Sequence, residues 1–357
     1  MTKPNPSIPP FSLRGYKDGI VHPTLWLWDS WTYKEGHQLH LYALALSRSA
    51  EDGTPILPEH RNDYPFHIRH FESSDKGESW SDLGSVLTSS PDPDSYFSRN
   101  VWSGSATRLP DNRKLMGFTG LRNLDEDHPF LQSIGFAISS DGMDFEQIAQ
   151  KPASCPNRDY DAIIEAGYYL GPKDQLGHKD GEEGGPILAW RDPYTFIDRD
   201  GVIHAFWSAK VSPKVGAIAH ASLIETKAGF EIHTLHPPIT LPDANSITQA
   251  EVPKLYFDAL NDTYYMLISA CDRLFEGQND SEVTKTLRLY KAHNIRGPWV
   301  SYKDEHSPII PGLPNMFGAS IIETDFAAGQ LKLIAPVTEC ASVEKQLTFA
   351  PVQTINL

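Results

Sequence analysis

Cysteine is scarce in this 357-residue chain: Cys155, Cys271 and Cys340 are the only three, with no CxxC pair among them, so a disulfide framework is not expected. Long apolar runs are missing too, and Met1-Thr2-Lys3-Pro4-Asn5-Pro6 has none of the apolar character of a signal peptide. The sequence therefore reads as cytoplasmic, or as secreted without a recognisable signal peptide. Basic charge is in deficit, with 31 Lys and Arg against 46 Asp and Glu and a net charge of −15, which excludes nucleic acid and anionic membrane surfaces as partners. Strong helix signals are nearly absent. The glycine-rich stretch Gly177 to Gly185 has neither the GK[ST] of a phosphate loop nor the spacing of a calcium loop, and reads as a flexible surface loop. Two histidine pairs, His37/His40 and His67/His70, stand at i and i+3, positions that face opposite ways on a strand. Neither pair converges on an ion, so no metal is expected.

What the chain does have is 28 prolines and 25 glycines spread along its length, the composition of many short strands joined by turns. After a Pro-rich arm over residues 1–20, three indoles and a carboxylate crowd into Trp26-Leu27-Trp28-Asp29-Ser30-Trp31. Period-2 alternation assigns Trp26, Trp28 and Ser30 to one strand face and Leu27, Asp29 and Trp31 to the other. Strand-like runs then recur in groups: 37–47 with 66–72, 101–108 with 114–120 and 134–138, 195–198 with 202–208 and 216–224, 253–257 with 264–269 and 287–292, and 319–323 with 331–337. The octet Ser73-Ser74-Asp75-Lys76-Gly77-Glu78-Ser79-Trp80 fits an S-x-D-x-G-x-[ST]-W turn, in which side-chain hydrogen bonds close a hairpin and Gly77 takes positive φ. Ser139 to Phe145 is a shorter echo. About five sheets at this spacing, in an all-β chain, predict a five-bladed β-propeller over residues 21–357. Closing the ring is expected to make the chain ends share a blade, with residues before about 35 pairing near the C-terminal strand.

Three acids share a context. Asp29 in Trp-Asp-Ser-Trp, Asp192 in Trp190-Arg191-Asp192-Pro193 and Glu251 in Gln249-Ala250-Glu251-Val252-Pro253 each precede a strand-like run in a different sheet. The first strand of each blade lines a propeller's central channel, so the three are expected to meet there. Glycoside hydrolysis needs such a set: one carboxylate as nucleophile or base, one protonated acid for the leaving oxygen, and a third to hold hydroxyls and developing positive charge. Burial among indoles and carboxylates is expected to raise the acid's pKa, and Arg191 to offset charge at Asp192.

At these residues the sequence resembles a known family. Trp28-Asp29-Ser30-Trp31, Trp102-Ser103-Gly104-Ser105-Ala106-Thr107, Trp190-Arg191-Asp192-Pro193 and Gln249-Ala250-Glu251 look, in order and spacing, like blocks of glycoside hydrolase family 68, the levansucrases, inulosucrases and β-fructofuranosidases of the five-bladed, clan J-like propellers. Glu165-Ala166-Gly167-Tyr168-Tyr169 and Gln249 are similar to the family's Gram-negative branch. The resemblance spans about Trp28 to Arg273. It implies a retaining β-fructosidase or fructosyltransferase acting on sucrose or a related fructoside, with no cofactor. Asp29 would be the nucleophile, Asp192 the transition-state stabiliser and Glu251 the general acid and then base. Trp28, Trp102 and Ser103 would shape the fructosyl pocket, Arg191 and Gln249 would hold substrate, and Arg273 would contact the leaving or acceptor sugar. The sequence departs from the family at Val252, where an arginine is usual, and over its last third. A propeller glycosidase for another furanoside, such as an arabinofuranoside, and a non-catalytic sugar-binding propeller are the alternatives.

Overall fold

A computed structural model describes residues 15–181, 185–303, 307–338 and 346–357. Most of the Pro-rich arm, three residues of the glycine-rich loop and Cys340 lie outside them. The chain forms a five-bladed β-propeller, each blade an antiparallel sheet built from one consecutive stretch. Blade 1 contains β1 (Gly15–Lys17), β2 (Leu25–Glu35), β3 (Gln38–Ser47), β4 (His67–Ser73) and β5 (Ser79–Thr88), with β1 added at the outer edge beside β5. Blade 2 runs β6 (Asn100–Arg108), β7 (Lys114–Arg122), β8 (Leu131–Ser139) and β9 (Gln147–Ile148). Blade 3 has β10 (Arg191–Ile197), β11 (Ile203–Ser212), β12 (Val215–Thr226) and β13 (Gly229–Ile239), and blade 4 has β14 (Gln249–Asp258), β15 (Thr263–Cys271), β16 (Lys285–Ala292) and β17 (Val300–Ser301). Blade 5 has β18 (Ser320–Asp325), β19 (Gln330–Ile334) and β20 (Gln353–Asn356).

Each sheet buries apolar residues on both faces, so the cores lie between blades. Leu115 and Ile134 of blade 2 meet Trp207 and Ala219 of blade 3, and Phe206 of blade 3 meets Leu255 and Met266 of blade 4. At roughly 1.5–3 kcal/mol per buried large side chain, these seams are the main force holding the ring together. Hydroxyl side chains join neighbouring inner strands, which share no backbone ladder. Ser105 Oγ donates to Pro193 O at 2.8 Å, Tyr194 Oη to Leu255 O at 3.1 Å and Thr32 Oγ1 to Ile321 O at 3.0 Å, while Tyr256 Oη accepts from Ile321 N at 2.9 Å. The fifth seam, between β2 and β6, uses Ser103 and Asp29.

The ring does not close by a shared blade. β2 pairs with β3 in its own sheet, while residues before 35 do meet the C-terminal segment: Ile20 and Phe349 exchange backbone hydrogen bonds of 3.0 and 2.9 Å, and Leu27 N donates to Leu347 O at 2.9 Å. The Ser73–Trp80 turn joins β4 to β5 as expected: Gly77 N donates to Ser73 Oγ at 2.9 Å, Ser79 N to Asp75 Oδ1 at 2.9 Å, and Trp80 packs beneath. Its echo makes the equivalent turn from β8 to β9, where Gly142 N donates to Ser139 Oγ at 2.9 Å. A helix not expected from the sequence, α1 (Pro156–Glu165), bridges blades 2 and 3, started by proline at its first turn.

Strict alternation fails on the inner strands because each carries a one-residue bulge. Register shifts fall between Leu27 and Ser30, Trp102 and Gly104, Arg191 and Tyr194, Glu251 and Lys254, and Ile321 and Glu323. A bulge re-aims side chains and turns an i, i+3 pair into same-face neighbours. Trp28 and Asp29 consequently both face one cavity, against the opposite faces expected, while Trp26 and Trp31 go to separate cores.

Candidate active site

A cavity of about 620 Å³ opens at one end of the inner strands. Every residue singled out in the sequence lines it: Asp29, Asp192 and Glu251, together with Trp28, Trp102, Ser103, Arg191, Gln249 and Arg273. Asp29, Asp192 and Glu251 come from the inner strands of blades 1, 3 and 4, and each falls at or beside its strand's bulge. Two of these bulges need left-handed backbone from non-glycine residues, Asp192 at φ 61° and Val252 at φ 51°. Such conformations cost on the order of 1–3 kcal/mol each and persist only where the surroundings hold them. Here the holding groups are Thr119, whose Oγ1 accepts from Asp192 N at 2.8 Å, and the Asp192 carboxylate, which accepts from Val252 N at 3.3 Å and from Ser208 Oγ at 3.1 Å.

Asp29 is fixed from two neighbouring blades. Ser103 Oγ donates to its Oδ2 at 2.7 Å, and Ser30 N donates to Gly318 O at 3.1 Å. Gly318, at φ 66°, presses so closely that a Cβ there would lie 2.3 Å from Asp29 Oδ1. Only glycine fits. Burial pushes the Asp29 carboxyl above the usual range, and the Ser103 hydrogen bond and Lys254 work against that shift. Burial also pushes Asp192 up, to about 7, opposed by Arg191 and reinforced by Asp29.

Arg191 reaches two of the acids. Its Nη2 donates to Glu251 Oε1 at 2.6 Å and to Gln249 Oε1 at 3.3 Å, and its Nη1 to Leu188 O at 2.8 Å, while its Nε stands 3.9 Å from Asp192 Oδ2. The guanidinium thus hydrogen-bonds Glu251 and stands within ion-pair distance of Asp192, whose negative charge it offsets. Arg273 lines the cavity with its head tied into the following loop, by 2.7 Å to Gln278 O and by an ion pair to Asp280. Trp28 packs edge-on against Phe66, ring centroids 5.1 Å apart, and Trp102 lies tilted on Phe130 at 5.9 Å. Glu59, Arg61, Glu276 and Lys285 add charge at the rim. Val252 points away into a buried apolar cluster with Trp31 and Phe317. Cys271 also reaches the cavity, but burial pushes its thiol up to about 12, which leaves too little thiolate for a nucleophile.

Four contributors were not singled out in the sequence: Thr119, Ser208, Lys254 and Gly318. Only Gly318 carried a readable sign, a glycine directly before a strand-like run, where close backbone approach is common. His40 Nδ1 meets His70 Nε2 at 3.0 Å across β3 and β4, and His204 Nδ1 meets His220 Nε2 at 3.0 Å. No group of three or more His, Cys, Asp or Glu among the described residues is arranged to hold a metal ion.

No family model and no curated relative matches the chain. Solved structures do. A Bacillus subtilis levansucrase in complex with oligosaccharides is similar over 96% of this chain and 86% of its own, with TM-score 0.65 and 14% identity. A levansucrase complexed with sucrose is similar over 94% and 84%, at TM-score 0.63 and 15% identity, and a B. megaterium levansucrase variant over 93% and 83%, at 0.60 and 13%. At these identities the likeness shows the fold: this chain is a five-bladed β-propeller structurally similar to the levansucrases of glycoside hydrolase family 68.

Proposed function

We propose that the chain is a retaining glycoside hydrolase or transglycosylase that cleaves β-fructosides such as sucrose through a covalent fructosyl-enzyme. The observation that carries this reading is the convergence of Asp29, Asp192 and Glu251, from inner strands of three blades, on one cavity walled by Trp28 and Trp102. The structural neighbours are levansucrases, one of them complexed with sucrose and one with oligosaccharides, which favours fructose as the glycone.

Asp29 is the residue best placed to attack. Its Oδ2 is held by Ser103 and its backbone by Gly318, so its carboxylate is oriented before substrate arrives. Attack on the fructosyl anomeric carbon forms the Asp29 ester as the glycosidic bond breaks, and Glu251 gives its proton to the departing oxygen. Asp192, braced by Ser208 and the Val252 amide, faces the positive charge that develops on the ring. In the second half Glu251 takes a proton from water or from an acceptor hydroxyl, and that oxygen displaces Asp29. Arg191 donates to Glu251 Oε1, which leaves Oε2 to carry the proton. The charged rim of Glu59, Arg61, Glu276 and Lys285 suits a hydroxyl-rich leaving sugar.

The test is a panel of sucrose, inulin, levan and nitrophenyl arabinofuranoside with free sugars read separately. Fructose and glucose from sucrose are expected, with glucose in excess where transfer competes with hydrolysis. Arabinose without fructose overturns the choice of glycone, and sugar binding without any product overturns the enzyme reading.

A further inference from the structure

Lys254 is 1% exposed, and its Nζ has no hydrogen-bond partner among the described residues. Other buried cations are satisfied: Lys114 Nζ donates to Asn112 O at 3.0 Å, and Arg288 pairs with Asp243. An unpartnered buried ammonium is expensive unless charges nearby compensate it. The β14 bulge shows where those charges are. Glu251 pairs with Ser269 and Lys254 with Leu267, so three steps on β14 span two on β15. That puts Lys254 on the same face as Glu251, one position further along the channel. There its Nζ lies 5.1 Å from the centroid of the Trp31 ring and interacts through space with Asp29 and Asp192.

The charge inventory gives the interaction a purpose. Facing this region are Asp29 from β2, Arg191, Asp192 and Tyr194 from β10, Glu251 and Tyr256 from β14, and Cys271 from β15. β6 and β18 present hydroxyls, Ser103 and Ser320. The chemistry proposed above starts with Asp29 and Asp192 ionised and Glu251 protonated. Two negative charges are then balanced by Arg191 and one more buried cation, and Lys254 is that cation.

We propose that Lys254 is a positioning residue which, from beneath the cavity floor and without touching substrate, holds Asp29 and Asp192 in their ionised forms. The proposal rests on the reading of the site given above. Burial lowers the Lys254 ammonium to about 7, and the charges of Asp29 and Asp192 oppose that shift, as the proposed pairing requires.

The test is carboxyl 13C NMR titration of wild type, Lys254→Met and Lys254→Arg, with Asp29 assigned through Asp29→Asn. The Asp29 midpoint is expected about one pH unit higher in Lys254→Met and restored towards wild type in Lys254→Arg. The acid limb of kcat/KM should move with it, with about a tenfold loss of kcat at the wild-type midpoint's acid side and KM unchanged. Identical carboxyl titrations in wild type and Lys254→Met overturn the proposal. So does a neutral Lys254 amine at pH 5–6 by 15N NMR of the wild-type chain, a measurement that stands even where Lys254→Met does not fold. A wild-type protein that releases no sugar from any fructoside overturns the functional reading instead, and the titrations still decide the role of Lys254.

Discussion

Adding one methyl group at Gly318 separates catalytic geometry from backbone strain. In Gly318→Ala the new Cβ would lie 2.3 Å from Asp29 Oδ1 and 2.7 Å from Asp29 Cα. Ordinary contact begins near 3.5 Å, so the Asp29 carboxylate has to retreat by about 1 Å. Its neighbours leave little room: Ser103 holds the other oxygen, and Ser30 N is bonded to Gly318 O. A misplacement of this size in a group that must sit in line with a reacting carbon lowers kcat/KM about a hundredfold. The φ of 66° adds about 1–2 kcal/mol of destabilisation for any residue with a Cβ. Gly312 is the matched control, because it has a similar φ of 79° and nothing within 4 Å of a built Cβ. Gly312→Ala is expected to lose similar stability and keep its activity. The assay is initial-rate sugar release from sucrose beside thermal melting of both variants. Full kcat/KM in Gly318→Ala, or an equal loss in Gly312→Ala, refutes the reasoning.

Ser103→Ala removes a hydrogen bond worth about 1.5–3 kcal/mol to the ionised Asp29, so kcat/KM should fall about ten- to a hundredfold and its acid limb should shift to higher pH. On the outer side of blade 1, Arg69 Nε and Nη2 each reach Asp82 at 2.7 Å, with His22 at 3.1 Å. These hydrogen bonds hold the Asp82 carboxyl well below the usual range even against the burial that raises it. A depressed pKa contributes stability that is present above the unfolded value of 3.8 and lost as pH falls below it, and Arg69→Ala should cost about 3 kcal/mol in urea denaturation at pH 7. Burial lowers His67 to about 4, His70 to about 3 and His220 to about 2, so all three stay neutral in the fold. Their stabilisation is complete above the unfolded 6.5 and lost as pH falls, by about 1.4 kcal/mol per pH unit for each, so the melting temperature should drop steeply from pH 6.5 to 4 and less steeply in His220→Gln.

The propeller was legible because its signals are local: strand-length runs, turn residues, and the Ser73–Trp80 octet with its echo at Ser139, which occupy equivalent corners of blades 1 and 2. The cavity was legible because Asp29, Asp192 and Glu251 each sit in a short distinctive string. What periodicity could not convey is the bulge. One extra residue per inner strand puts Trp28 beside Asp29 and Lys254 beneath Glu251, and nothing in the alternation of either strand marks where it falls. The bonding of Arg191 to Glu251 was hidden for a different reason, since adjacency favoured Asp192 while the partner chosen in space lies 60 residues away. Lys254, Thr119 and Ser208 belong to no motif at all and act through side chains buried from other strands. Ring closure was half legible: residues before 35 do meet the C-terminal segment, Ile20 with Phe349 and Leu27 with Leu347, but inter-blade cores and hydroxyl bridges hold the ends without a shared blade.

The central claim, that Asp29 carries the fructosyl group and Glu251 moves the proton, is tested most directly by intact mass and peptide mapping of Glu251→Gln after reaction with a fructosyl donor whose leaving group needs no proton. One fructosyl residue covalently bound at Asp29, and none in Asp29→Asn, is the expected result. An adduct on another residue, or Asp29→Asn cleaving sucrose at the wild-type rate, would contradict it.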